Sequence, residues 1–428
     1  MPRTISITSV QIPVELLTFG MFVCDLDRPW IQTPFLIQGF YVNHPEEITA
    51  VKDFCRSVWV DVTTIPASVK LPRNLPRRSA SARFDQALSS TTWNLASGGK
   101  FGGAKRTYPI LRPIEEELPK AATCLDFYTN MVTTTFSTLA DGKNLDLAKI
   151  RQATRPMIES MVANPDAMIW LVRMKSRDDY ILKHALCVSV WVVAFGRQLG
   201  LPKQNLTELS IAGMLADIGK LWIDEKILDK PAPLTHEERT EVRKHVELGL
   251  QELDKASKTK LNPVIRSAIL YHHERHSGQG YPEQRYGGSI PLYAKLVGIA
   301  DYYDAVTSDR SYAKAISSGE ALKALYESRD VEFQAELVEE FIQAIGIYPA
   351  GSVVELSDGT TAIVVAAGRS HRLHPKVIKI LDAKQDRTGS TTIIDLANQS
   401  DDSADSRLHI VKSLAADAHD IDLNEFYL

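Results

Sequence analysis

Six residues in the middle of the chain have side chains that bind metals: His184, Asp217, His245, His272, His273 and Asp301. With the adjacent His272-His273 counted as one position, the separation from one to the next is 27–33 residues, about one helical hairpin. Each position falls within or at the end of a segment with helical periodicity, so a bundle could bring all six to one point. Histidine is the commonest metal ligand near neutral pH. Four imidazoles with two carboxylates suit Fe, Mn, Co or Zn better than Ca or Mg. Asp217 could bridge two ions with its two oxygens, and a pair of ions can clamp a phosphodiester and generate hydroxide at neutral pH. Taken singly, each histidine fits an ordinary hydrogen-bonded residue, and His236 and His276 are read that way. The joint pattern singles out the six.

The adjacent His272 and His273 can share a site only on a rigid backbone. The stretch 272–282 supplies one, turning on Gly278 and Gly280 and stiffening at Tyr281-Pro282, where proline fixes its own φ and pushes the preceding residue to an extended conformation.

The elements that must position these groups follow from patterning. Alternating apolar runs over 5–14, 20–26 and 57–62, with a short helix over 45–55, predict a small α/β or α+β domain over 1–70. Residues 71–113 are rich in Pro, Ser and Gly. Over 70–112 nine Lys or Arg face one acid, Asp85, which predicts a basic flexible linker. Helices are expected over 118–139 and 145–162, connecting helices within 114–175 that could carry a homodimer contact. Residues 176–346 read as an all-α bundle, with helices over 206–218, 235–253, 263–273, 292–306 and 319–326. Thr235 and Glu238 are spaced as a capping box. Residues 347–428 return to strands, with Asp358-Gly359 as a hairpin turn. The fold class is thus multi-domain: a small α/β N-terminal domain, a helical bundle and a small β C-terminal extension.

Composition fits a globular protein: 428 residues, 44% hydrophobic and 24% charged, with a formal net charge of −4. There is no global basic field for a nucleic acid polymer. Cys24, Cys55, Cys124 and Cys187 form no CxxC and fit reduced thiols in a cytoplasmic protein. The longest apolar run, 185–195, is shorter than the ~20 residues of a spanning helix, and is expected to be buried, not a membrane span.

The helical domain resembles the HD-GYP subgroup of HD metal-dependent phosphohydrolases. The resemblance is carried by Asp217-Ile218-Gly219-Lys220, Lys230-Pro231 with Leu234-Thr235, His245 with Gly249, His272-His273-Glu274-Arg275, Gly280-Tyr281-Pro282, Ile290-Pro291 and Ala300-Asp301-Tyr302-Tyr303-Asp304-Ala305. Residues 1–70 resemble the uncharacterised domain often found ahead of HD-GYP domains in proteobacteria. The resemblance implies a bacterial second-messenger enzyme, regulating traits such as biofilm and motility. It would open cyclic di-GMP to pGpG or GMP by attack of a metal-bridging hydroxide; some relatives act on cyclic GMP-AMP. Two divalent ions are implied, Fe or Mn first, with Zn, Co and Ni compatible. His184 and Asp301 would bind one ion, His245, His272 and His273 the other, and Asp217 would bridge. Lys220 would sit beside the phosphate, Arg310 and Lys314 would contact phosphate, and Gly280, Tyr281 and Pro282 would shape the substrate loop. A diguanylate cyclase or another signalling protein is an implied partner.

One departure bears on everything else. The family's His-Asp dyad is here Ala216-Asp217. Alanine has no ligand atom, so one metal site loses a donor. Losing an outer-shell partner alone costs about 10–100-fold in affinity or activity, and a lost ligand at least as much. The expectation is therefore a phosphodiesterase weakened or inactivated at position 216, by a deliberate change or by recent degradation. The alternatives are an inert cyclic di-GMP receptor and a cyclic GMP-AMP phosphodiesterase. Ser277, Lys295 and Ala313 are smaller departures.

Overall fold

The computed structural model describes residues 7–28, 40–42, 45–62, 65–66, 69, 71–72, 75–80, 106–174, 180–257, 261–309, 314–368, 372–384, 386–388, 392–399, 407–415 and 418. The chain separates into two compact units, Met1–Thr92 with Gln399–Arg407, and Trp93–Asn398 with Leu408–Leu428.

The first unit is an antiparallel sheet with one helix. Strands β1 (Ile7–Pro13), β2 (Phe22–Leu26), β3 (Phe40–Tyr41), β4 (Ser57–Asp61) and β5 (Arg77–Ala80) run in the order β3-β2-β4-β1-β5, with α1 over Pro45–Phe54. Pairing of Val10 with Val60 and Ile12 with Val58 puts four fully buried β-branched side chains on one face. Strand β5 corrects the sequence reading. It lies in the segment expected to be a tether, yet Val10 pairs with Arg77 and Ile7 with Ala80. Its Arg-Arg-Ser-Ala sequence carries no strand signal, so backbone pairing to β1 decides. At its other end the supposed tether is also anchored. Arg197 donates to the carbonyls of Tyr108 and Pro109, and Asn164 donates to that of Arg112.

The second unit is helical, followed by a second sheet. Its helices are α2 (Ile114–Ala140), α3 (Leu147–Ala163), α4 (Pro165–Met174), α5 (Tyr180–Gln198), α6 (Lys203–Leu215), α7 (Glu225–Leu228), α8 (His236–Arg243), α9 (His245–Ala256), α10 (Pro263–Tyr271), α11 (Leu292–Val306), α12 (Ser318–Glu327) and α13 (Ala335–Ile345). The core is built on α5, which is buried on every side from His184 to Arg197. Trp191, Phe195, Tyr303 and Phe341 lock α5, α11 and α13 together through edge-to-face rings 5.1–5.5 Å apart. Among the described residues α5 is also the one helix long and apolar enough to cross a membrane, and 78% of that stretch is buried inside the protein.

The C-terminal sheet runs β10-β6-β7-β8-β9, with β6 at Val353–Leu356, β7 at Thr361–Ala366, β8 at Lys376–Leu381, β9 at Ile393–Asp395 and β10 at Ile410–Leu414. Its core is Val354, Leu356, Ala362, Val364, Val377 and Leu396. The β6–β7 hairpin turns at Asp358-Gly359, where Gly359 takes a φ of 80° that a side chain would oppose.

Candidate metal centre

Close backbone approaches bring the ligand-type residues together. After α6 the chain keeps helical dihedrals at Ala216, then tightens after Asp217 into a 3-10 turn over Ile218–Trp222. A Cβ on Gly219 would lie 1.9 Å from the His245 carbonyl oxygen and 2.6 Å from the Gly249 amide nitrogen. Only glycine permits this contact, and it draws Asp217 against His245. The helix expected over 235–253 in fact breaks at Lys244, so His245 opens α9. The predicted capping box is present, with Thr235 and Glu238 bonded reciprocally. His272 caps the C-terminus of α10. Gly298 lets α11 press on it, since a Cβ there would lie 2.4 Å from the His272 carbonyl oxygen. That contact sets the depth of Asp301, one turn further along α11.

Two donor groups result, and they share Asp217. The first is Asp217, His245, His272 and His273; the second is His184, Asp217 and Asp301. In each, one ligand atom per residue lies within 4.8 Å of all the others. In the first group the imidazoles are oriented by backbone. His245 Nδ1 lies 2.7 Å from the Val242 carbonyl and His272 Nδ1 lies 2.8 Å from the Ile269 carbonyl. A carbonyl only accepts, so each Nδ1 donates, and in the neutral ring each Nε2 is left with a lone pair. Those lone pairs face Asp217 Oδ1, which is 3.1 Å from His245 Nε2 and 3.7 Å from His272 Nε2. All three atoms are buried and none has a hydrogen-bond partner. Acceptors thus face acceptors in a desolvated space, an arrangement that a cation among them would satisfy.

In the second group His184 Nε2 is 2.9 Å from Asp301 Oδ1 and 3.3 Å from Asp217 Oδ2. His184 Nδ1 is 2.7 Å from Asp304 Oδ2, and Asp304 Oδ1 accepts from Trp191 Nε1 at 3.1 Å. Lys220 Nζ donates to Asp217 Oδ2 at 2.5 Å.

The loop that closes the site is tied down from beneath. Buried Glu274 accepts from the amides of Glu283 (2.7 Å) and Arg285 (2.8 Å). Gly280 packs where a Cβ would lie 2.4 Å from the Arg275 amide nitrogen and 2.5 Å from the His273 carbonyl oxygen. Tyr281 precedes a cis peptide bond to Pro282. Its ring stacks on His273, with centroids 4.7 Å apart and an interplanar angle of 23°, and the Arg243 guanidinium lies 5.0 Å above it.

The electrostatics fit a cation site. Burial alone would raise the Asp217 carboxyl, but Lys220, and then His184, hold it well below the ordinary range. Asp301 is likewise pulled far down against burial, chiefly by its bond to His184. Burial, then the neighbouring His272, keep His273 well below the usual imidazole range, so it presents a neutral ring. His184 goes the other way: burial opposes its protonation, yet bonds to Asp217, Asp301 and Asp304 hold it well above the ordinary value.

All six of the ligand-type residues predicted from sequence therefore converge, with Lys220 beside them and Ala216 buried next to Asp217. Gly280 and Tyr281 close over His273. Lys314 is exposed in the loop after α11, and Arg310 lies outside the described residues. His236 is exposed and His276 belongs to neither donor group, as expected of bystanders. Sequence reasoning gave no role to Asp304, Trp191 or Glu274. The spacing of Asp301 and Asp304, one helical turn apart, was the available signal for the first.

Comparison with known proteins places the chain by family. The family model described as "HD domain" matches residues 157–337, and the one described as "Domain of unknown function (DUF3391)" matches 9–150. The chain is 29% identical over 404 residues to the cyclic di-GMP phosphodiesterase PA4108 of Pseudomonas aeruginosa, a match covering 91% of this chain and 90% of that one. It is 36% identical over 146 residues to the cyclic di-GMP phosphodiesterase response regulator RpfG of Xanthomonas campestris pv. campestris, covering 34% of this chain and 38% of that one. It is 31% identical over 156 residues to the 3'3'-cGAMP-specific phosphodiesterase 2 of Vibrio cholerae, covering 36% and 30%.

Proposed function

Because the chain is an HD-GYP protein with an N-terminal DUF3391 domain, we propose that it is a metal-dependent cyclic dinucleotide phosphodiesterase, with cyclic di-GMP as first substrate and its activity lowered by Ala216. The observation that carries this is the convergence of Asp217 Oδ1, His245 Nε2 and His272 Nε2, buried and without partners. The relatives named for cyclic di-GMP and for 3'3'-cGAMP supply the substrate class.

In this reading His245, His272, His273 and Asp217 hold one divalent ion, with His184, Asp217 and Asp301 as the family's second set; Fe or Mn suits these donors. Bound metal would polarise the phosphoryl oxygen and stabilise the charge that develops on it. The protein's own share is positioning. The Val242 and Ile269 carbonyls fix the ring tautomers, and Asp304 orients His184. Lys220 Nζ, with its pKa held up by Asp217 and Asp301 against burial, offers a charged donor to a non-bridging phosphate oxygen. Tyr281 roofs His273, and Lys314 and Arg310 are the further phosphate contacts. The N-terminal unit serves as the regulatory arm. The helices over 114–175 link it to the catalytic part and are where a second copy or a diguanylate cyclase would engage.

A second reading, a receptor that binds cyclic di-GMP without cleaving it, is favoured by Ala216 itself. One experiment separates the two. Metal-loaded protein and its Ala216→His variant are incubated with cyclic di-GMP and with 3'3'-cGAMP, and products are resolved by chromatography. The enzyme reading predicts linear pGpG or GMP, with a gain of at least about tenfold in the variant. Binding without turnover in both forms would favour the receptor. Neither binding nor turnover would end both readings.

A further inference from the structure

Arg243 ends α8 two residues ahead of His245, and none of the stretches that carry the family resemblance includes it. Its backbone is fixed on both sides. The helix breaks at Lys244, and the carbonyl of Val242, one residue back, accepts from His245 Nδ1 at 2.7 Å. Its head is fixed too. The guanidinium lies 5.0 Å from the centroid of the Tyr281 ring, and that ring is stacked on His273. Tyr281 is held in turn, because its amide donates to the His273 carbonyl at 3.2 Å and Gly280 packs tightly before it. The guanidinium therefore stands one ring out from an imidazole of the metal centre.

What it lacks is an acceptor. The other basic side chains at this helix end are already engaged: Arg239 Nε donates to the Leu234 carbonyl at 3.2 Å, and Lys244 Nζ to Glu241 at 2.6 Å. Arg243 is exposed and, among the described residues, makes no hydrogen bond or ion pair. An arginine left to solvent keeps its rotamer freedom. This one is held by an aromatic face, which fixes the charged group and leaves its N–H donors open. Donors held in a rigid fork match an anion with paired oxygens, and phosphate is the fitting case. A cyclic dinucleotide carries two phosphates. One would lie on the metal beside Lys220, and the closed ring keeps the other close by, at the rim.

We propose that Arg243 is a substrate-binding residue whose guanidinium takes the phosphate that is not cleaved, with Tyr281 as the face that holds it ready. The inference rests on the functional reading for its ligand, a cyclic dinucleotide.

The test is a calorimetric titration of the Mn2+-loaded full chain with cyclic di-GMP and with GMP, which carries a single phosphate. The unaltered chain is set beside Arg243→Met, which keeps an apolar stem over Tyr281 and loses every donor, and Arg243→Lys, which keeps the charge and loses the fork. Arg243→Met should weaken cyclic di-GMP binding by at least about tenfold and GMP binding by no more than about twofold. Arg243→Lys should fall between the methionine variant and the unaltered chain. Mn2+ content, counted on the same samples, should be the same in all three. Equal affinity for cyclic di-GMP in the three forms would overturn the inference and leave the functional reading standing. Equal weakening of both nucleotides, or a lower Mn2+ content in Arg243→Met, would show that the side chain merely supports the centre, and would overturn it too. An unaltered chain that binds no cyclic di-GMP would end the inference together with the reading beneath it.

Discussion

Gly219 and His245 approach so closely that a Cβ on the glycine would lie 1.9 Å from the histidine's carbonyl oxygen. The contact is backbone to backbone, so no rotamer change can relieve it, and the turn carrying Asp217 would have to move away from α9. Gly219→Ala should therefore cost about 1–3 kcal/mol or more by overpacking and weaken cation binding as well. Gly249→Ala, whose Cβ would come within 3.1 Å of the Gly219 amide nitrogen, should be milder on both counts. Urea unfolding together with Mn2+ titration checks the pair. Equal, small effects would mean that this approach does not set the site.

Asp304 acts on the site through His184. Its two oxygens are used, one by His184 Nδ1 and one by the indole of Trp191. Asp304→Asn removes the charge, and its amide cannot accept at both positions. In the Ala216→His background, where the His184 group regains its donor, the expected loss is about 10–100-fold in affinity for the second ion, with the first unchanged. A purely structural role for Asp304 would lower both affinities together, which a two-site titration would reveal.

Glu274 holds the closing loop through two backbone amides. Glu274→Ala strands both, at about 1–3 kcal/mol for each buried donor left unpaired. Glu274→Gln keeps an acceptor and should lose less. Hydrogen exchange of the Glu283 and Arg285 amides should accelerate strongly in the alanine variant and modestly in the glutamine one. Unchanged protection in both would show that the loop is held by Gly280 packing alone.

The reach of the sequence depended on how local each determinant is. The six ligand positions were legible because each sits on a helix or at its end, and because His272-His273 precede a Gly-Tyr-Pro constraint readable within a dozen residues. Helix α11 matched its periodicity, and the Asp358-Gly359 hairpin formed where that dipeptide predicts it. Helix α4 was missed because nine of its ten residues are buried, leaving no polar face to mark a period. The break at Lys244 was invisible because helical propensity runs through it; packing of His245 against Gly219 selects it. Asp304 meets its partner 120 residues away, which no local pattern encodes. Strands β5 and β10 carry weak alternation and exist by pairing to β1 and β6.

The C-terminal hairpin gives a pH prediction remote from the site. Burial would raise the Asp358 carboxyl, but Lys379 Nζ at 2.5 Å and the Thr360 hydroxyl and amide hold it below the ordinary range. A carboxyl depressed on folding contributes stability above its unfolded value, near 3.9, and loses it as pH falls through the folded value. The pair is partly exposed, so the contribution is no more than about 1 kcal/mol. The stability difference between the protein and Asp358→Asn should stay flat from neutral pH to about 5, then shrink below about 4. A difference that grows on acidification would reverse the assignment.

The whole account turns on Asp217, the one residue common to both donor groups. The decisive measurement is Mn2+ content and cyclic di-GMP binding of Asp217→Asn, beside the unaltered protein and with far-UV circular dichroism confirming the fold. The prediction is that the variant keeps its helices and loses both its cation and metal-dependent nucleotide binding. A folded variant that retains its cation and binds cyclic di-GMP as before would contradict it.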